Sequence, residues 1–406
     1  KPVRLPGGEQ RLWKPDLTPY RSPVVLPKDA TFDDLGLHSH DQQPLLPLDD
    51  QLYAVKPEPD GDTYRIQHPT RSDAYAPQVA HNGAGAWLHE GEEPLTWDGP
   101  ALMRRLGCRT RGLSDAQLEQ ARLASGTRAD QLRQLHVDLQ PPPVLLSDSL
   151  ARFGIHQRIE TFIEKMGSDD PLDYALADPA ITERVVAHRG LTYPAVLDPT
   201  PRVLDEQTML WRREVAQAAR DSRTSLFDAD YRAHNLTRSP PVQQLMDRFS
   251  GLPAEVARQL LETATDADLT ALSGHQQLSP RLTALARESQ QQVRIARAYE
   301  GLFLDTLQSQ DSLRLALHTL PSLPGWDPSL RVEIRLGSEQ GPLIDAVGPE
   351  ADAPPLMLAM GEDGAFGATD LYGAVLARLE QGQRRALGEA ARDAGTLKYG
   401  VRQTPL

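Results

Sequence analysis

The single cysteine of the chain, Cys108, lies in MRRLGCRTRGLS among Arg104, Arg105, Arg109 and Arg111. Nearby cations lower a thiol pKa and raise its thiolate fraction, the form that attacks a carbonyl or thioester carbon. No histidine or aspartate stands close in sequence to act as its base, and a free cysteine also serves as a small apolar packing residue. His38-Ser39-His40-Asp41 carries metal-ligand chemistry, because alternate histidines can chelate. No HExxH and no repeated ligand spacing accompanies it, so a surface loop is the competing reading. In HNGAGAWLHE, Gly83, Ala84 and Gly85 precede Trp87, between His81 and His89. Such a loop presents backbone amides to an anion or makes a tight strand-to-strand turn. No residue is assigned to catalysis, to a cofactor or to a metal, and no cofactor is expected. Cys108 stands as the candidate nucleophile, and His38 and His40 as the candidate metal ligands.

The elements that would hold these residues follow from proline and periodicity. The chain has 406 residues, of which 34 are proline. Residues 202–320 hold only Pro240, Pro241, Pro253 and Pro280. Proline blocks helix interiors and central strands, so a proline-rich, β-containing front end (1–112) gives way to a helical body (113–328). LYAVK and TYRIQ alternate on either side of Pro57, Pro59, Asp60 and Gly61, which predicts a hairpin with Tyr53 and Val55 facing Tyr64 and Ile66. Further strands are expected at Ser22–Leu26, Leu45–Leu48 and Ala86–His89. In the body, Ser114 and Gln117 form a capping box, Ser147 caps a long helix, and Asp178-Pro179 opens another that ends at Gly190. Five close-set helices are expected between Val242 and Leu320. Arg212-Arg213-Glu214 and the Glu160–Glu164 pair have ordinary surface spacing. From 329 to 406, SLRVEIRL alternates with Arg331, Glu333 and Arg335 on the solvated side, and strands at Pro342–Val347 and Leu356–Met360 precede a helix near Asp370. The fold class is therefore mainly α with α+β parts.

The formal charge of −13 argues against a dedicated nucleic-acid partner. One cysteine excludes an intrachain disulfide framework, and no run reaches the ~18 apolar residues of a transmembrane helix. The chain begins Lys1-Pro2 and is expected to be a segment of something longer.

Several strings together carry a resemblance: KPDLTPYRSPVVLP, YRIQHPTRSDAYAP, HNGAGAWLHE, WDGPALMRRLG, QPPPVLLSDSLARF, FSGLPAEVARQLL and LPGWDPSLRVEIRLGSEQGPLIDAVG. From Leu12 to Leu387 the chain resembles very large dermonecrotic-toxin-like effectors of pseudomonads. Many of these carry leucine-rich repeats and a C-terminal novel E3 ubiquitin ligase domain. The resemblance implies a secreted protein delivered into a host cell, with a host protein or other domains of the same toxin as partner. Its ligase domain works through a cysteine followed closely by an acidic residue, whereas Cys108 is followed by Arg109 and Thr110, so no catalytic residue carries over. No LxxLxLxxN run is present either. The expected function is a non-catalytic scaffold or docking region of an effector whose full form transfers ubiquitin to host proteins. The alternatives are a toxin enzyme with its site in the His/Trp-rich front end, and a structural spacer.

Overall fold

Two-residue turns rich in aspartate build the front end. The computed structural model describes residues 2–4, 10–12, 16–27, 30–59, 61, 63–193, 206–274, 277–350 and 354–404. Strands His38–His40, Gln43–Leu48, Gln51–Pro57, Thr63–Ile66, Gln78–His81 and Trp87–His89 pair in chain order as an antiparallel meander. Asp41-Gln42 and Asp49-Asp50 connect the first three with φ of 48° and 66°, and of 47° and 59°. Type I′ hairpins need positive φ at both central residues, and aspartate tolerates it. The alternation in LYAVK and TYRIQ emerges as expected. Val55 pairs with Ile66, and Tyr53, Val55 and Ile66 share a core with Leu46, Val79 and Trp87. Asp60 of the expected turn lies outside the described residues. Two expectations need correction. Ser22–Leu26 is not a strand; Pro23 interrupts it, Val25 is exposed, and only Arg21 bridges to Tyr53. His38-Ser39-His40 is not a loop but the edge strand of the sheet.

Helices begin at Gly99. Ser114 and Gln117 make the capping box of Asp115–Ala124, and Asp178 caps Pro179–Arg189, which ends on left-handed Gly190. The long helix Val144–Gly167 starts earlier than its serine suggests. Pro143 holds the N-cap position, and Ser147 is buried in the first turn. A proline at the end of a Pro-Pro-Pro run already has the extended backbone that a helix entry needs. Arg212 also departs from expectation. It is 1% exposed, not solvated, and its Nη2 donates to the Lys165 carbonyl at 2.7 Å. That carbonyl belongs to the last turn of Val144–Gly167, where main-chain acceptors lack helical partners.

In the C-terminal part, Val332–Leu336 is the central strand, antiparallel to Leu343–Val347 and parallel to Leu356–Met360. Val332 and Ile334 face a core with Leu358, Leu371 and Val375, joined by Leu317 of the helix Gln310–Thr319. Glu333 departs from the alternation. It is 6% exposed, receiving Arg331 Nε at 2.9 Å and Arg335 Nη2 at 2.6 Å. Those two guanidinia hold its carboxyl below the usual carboxylate range. The chain forms two compact units, 1–289 and 290–406, dividing within the helix Pro280–Phe303. Helix predominates over strand among the described residues, and the fold is mainly α with α+β parts. Among the described residues no helix is long and apolar enough to cross a membrane.

Candidate functional site

Cys108 sits on the short 3-10 turn Gly107–Thr110, pressed against the Gly83–Gly85 loop. Gly107 has φ of 87°, and a Cβ there would lie 1.9 Å from the Gly85 carbonyl oxygen. Only glycine lets the two backbones approach this closely. A Cβ on Gly85 would lie 3.1 Å from the Cys108 sulfur, and one on Gly36 would lie 3.6 Å from it. The thiol is therefore half-buried against two stretches of bare backbone. Burial pushes its pKa up, and the opposing pull of Arg109 and Arg111 does not reverse this. Burial thus outweighs the surrounding arginines.

Arg104, Arg105 and Arg111 have other partners. Arg104 Nε donates to Asp115 at 2.8 Å. Arg111 Nη1 donates to His38 Nε2 at 3.2 Å, and its guanidinium lies 5.6 Å from the Phe32 ring centre. Arg105 pairs with Glu92, stands 3.6 Å from Asp49 and covers the Trp97 ring at 5.2 Å. Burial lowers the Arg105 pKa, with Asp49 acting against that trend. Cys108, Trp87, Asp49, Arg104, Arg105 and Arg111 line one cleft of about 530 Å³, within the range of small-ligand sites.

His38, His81 and His89 are committed to the fold. His38 is buried. With Arg111 donating to Nε2, its Nδ1 carries the proton and donates to the Thr31 carbonyl at 2.7 Å. Both ring nitrogens are thus engaged, while His40 stays largely exposed beside Asp41 at 3.6 Å. Among the described residues no group of three or more His, Cys, Asp or Glu could hold a metal ion. His81 Nδ1 accepts from Gly83 N at 3.0 Å, and its ring packs edge-on against Trp87. Asn82 Oδ1 accepts from Ala84 N at 2.9 Å and Ala86 N at 3.1 Å. The loop amides therefore serve the turn. Trp87 Nε1 donates to the Leu35 carbonyl at 2.7 Å. His89 does meet a carboxylate, Glu92 at 3.4 Å, and burial lowers its pKa. That carboxylate is shared with Arg105, and neither His89 nor Glu92 lines the Cys108 cleft.

A second polar cluster lies in the helical body and has no local signature in the sequence. Asp230 receives both Arg158 and Arg184. Burial would raise its carboxyl, but the Arg184 and Arg158 hydrogen bonds hold it below the usual range. Glu160, whose spacing suggests a solvated face, is mostly buried and pairs across helices with Arg223 at 2.8 Å. Tyr231 Oη donates to Asp148 at 2.7 Å, and Arg152 lies over the Phe227 and Tyr231 rings at 4.8 and 4.5 Å. The partners are 50 or more positions apart in most of these pairs, beyond the reach of any spacing rule. Neither a protein-family model, nor a curated protein, nor a solved structure matches the chain.

Proposed function

We propose that the chain is a non-catalytic scaffold and docking region of a larger secreted effector, acting on host proteins through other domains of that effector. One observation carries this reading. The only thiol is wedged between Gly36 and Gly85, and burial raises its pKa despite the neighbouring arginines. A thioester-forming nucleophile needs the reverse. The residues around it support the same reading, because Arg104, Arg105, Arg111 and His38 all have structural partners. The toxin setting comes from the resemblance of the sequence strings alone.

The enzyme alternative is favoured by one feature, the ligand-sized cleft beside Cys108 and Trp87. The test is toxicity of the parent effector in host cells. With Cys108→Ser, toxicity should stay within a few-fold of wild type while circular dichroism is unchanged. Abolished toxicity with an intact fold would favour the enzyme. Excision of residues 1–289, the unit that holds this cleft, should remove toxicity. Undiminished toxicity after that excision would contradict a docking role.

A further inference from the structure

The sheet of the C-terminal unit has two edges, and they are built differently. On one, Leu343–Val347 slips register between Leu343 and Asp345, which makes Ile344 the extra residue of a bulge. On the same strand Asp345 receives Arg314 Nε at 3.0 Å and lies 3.3 Å from His318 Nε2, both from the helix Gln310–Thr319. A bulge and a charged residue on the edge are devices by which natural sheets exclude a further strand. The other edge, Leu356–Met360, has neither. Its sequence is Leu-Met-Leu-Ala-Met, with no charge, no proline and no register slip against Val332–Leu336.

The main chain of that edge is only partly used. Leu356 N donates to the Arg331 carbonyl and Gly337 N to the Met360 carbonyl, each at 2.8 Å. Successive residues of a strand turn their N–H and C=O groups to opposite sides. Leu356, Leu358 and Met360 therefore address Val332–Leu336, while Met357 and Ala359 address the open side. Among the described residues, no strand and no hydrogen-bond partner meets the main-chain groups of Met357 and Ala359. The side chains of Leu356, Leu358 and Met360 join the core with Val332, Ile334, Leu371 and Val375. Met357 and Ala359 are half-buried on the opposite face.

We propose that this edge pairs with the same edge of a second copy of the chain, antiparallel, about a two-fold axis at Leu358. The register follows from which residues face outward. A hydrogen-bonded antiparallel pair exchanges both of its bonds, and each member must turn its main chain to the other. With the axis at Leu358, Met357 meets Ala359 of the second copy and Ala359 meets its Met357, so every outward group is paired. An axis at Met357 or at Ala359 pairs only half of them. The same register sets the large Met357 beside the small Ala359 on one face. On the other it brings the two Leu358 residues to about 4.5 Å between Cα atoms, which joins the two cores. Beyond the strand, Pro355 meets Gly361 and Pro354 meets Glu362, so no like charges are opposed. The occupant is a second copy because the edge complements itself in hydrogen bonds, size and charge together. The bulged Leu343–Val347 strands then close the joined sheet at both ends, so the pairing is isologous and stops at the dimer.

The test is sedimentation velocity on the full chain across a concentration series, with amide hydrogen exchange on the same samples. One short edge is small against the ~1,200 Å² of a stable interface, so the monomer–dimer midpoint should fall between about 5 and 200 µM. Two double variants separate this register from any other association. Met357→Lys with Ala359→Lys sets lysine against lysine in both pairs and should weaken the dimer at least about 10-fold. Met357→Lys with Ala359→Glu sets lysine against glutamate in both pairs and should dimerise at least as well as the unaltered chain at low salt. Melting curves check that both variants fold. In the unaltered chain, exchange at the Met357 and Ala359 amides should slow as concentration rises through the midpoint. A chain that stays monomeric throughout would overturn the proposal and leave the edge to a strand of another protein. A dimer that the two variants affect equally would overturn it as well. If either variant misfolds, exchange in the unaltered chain decides: protection at Met357 and Ala359 that does not rise with concentration contradicts the pairing.

Discussion

Gly107 and Gly85 approach so closely that a side chain on the first would strike the carbonyl of the second at 1.9 Å. This contact seats the Cys108 turn on the sheet's Gly83–Gly85 loop. Gly107→Ala combines a clash with backbone with a left-handed φ of 87° and should cost about 2–4 kcal/mol in urea unfolding. Gly112→Ala, also at positive φ but with open space around it, should cost about 1–2 kcal/mol. Equal losses would mean that the Gly85 contact contributes nothing.

Cys108 should react sluggishly with iodoacetamide at neutral pH. Because burial raises its pKa, its rate profile should rise at higher pH than that of a cysteine in a denatured control. A profile shifted to lower pH than the control would show that the four neighbouring arginines do activate the thiol.

Asp230→Asn should destabilise the helical body by about 1–3 kcal/mol. That is below the ~3–5 kcal/mol of a fully buried broken pair, because Arg158 and Arg184 are 50% and 37% exposed and can turn to water. The sign with pH follows from the lowered carboxyl. The stability it contributes is present above the ordinary aspartate pKa of about 3.9 and is lost as pH falls through the depressed value. The gap between wild type and variant should therefore close in acid. A gap that widens below pH 4 would contradict the pairing.

The readable parts of the fold were those governed by local rules. Ser114, Asp178, Gly190 and Asp370 mark helix ends where their own chemistry demands them, and Val55 faces Ile66 as alternation requires. Pattern failed where a distant partner overrode it. Glu333 is buried because Arg331 and Arg335 fold over it, and Arg212 because a helix end 47 positions away in sequence needs a donor. The candidate site was legible as residues but not as chemistry. The arginines around Cys108 are adjacent in sequence, yet their partners Glu92, Asp49 and His38 come from the sheet and its loops. The loss of solvent around the sulfur depends on Gly36 and Gly85, which no spacing near Cys108 reveals.

The non-catalytic reading is tested most directly by mixing the 406-residue chain with ubiquitin, activating enzyme, a panel of carrier enzymes and ATP, followed by non-reducing electrophoresis and intact mass. A thioester ligase must accept ubiquitin on a thiolate, and Cys108 is the one thiol available. The expected result is no ubiquitin adduct that reductant removes. A reductant-sensitive band on this chain that disappears in Cys108→Ala would place the catalytic centre here and contradict the scaffold role.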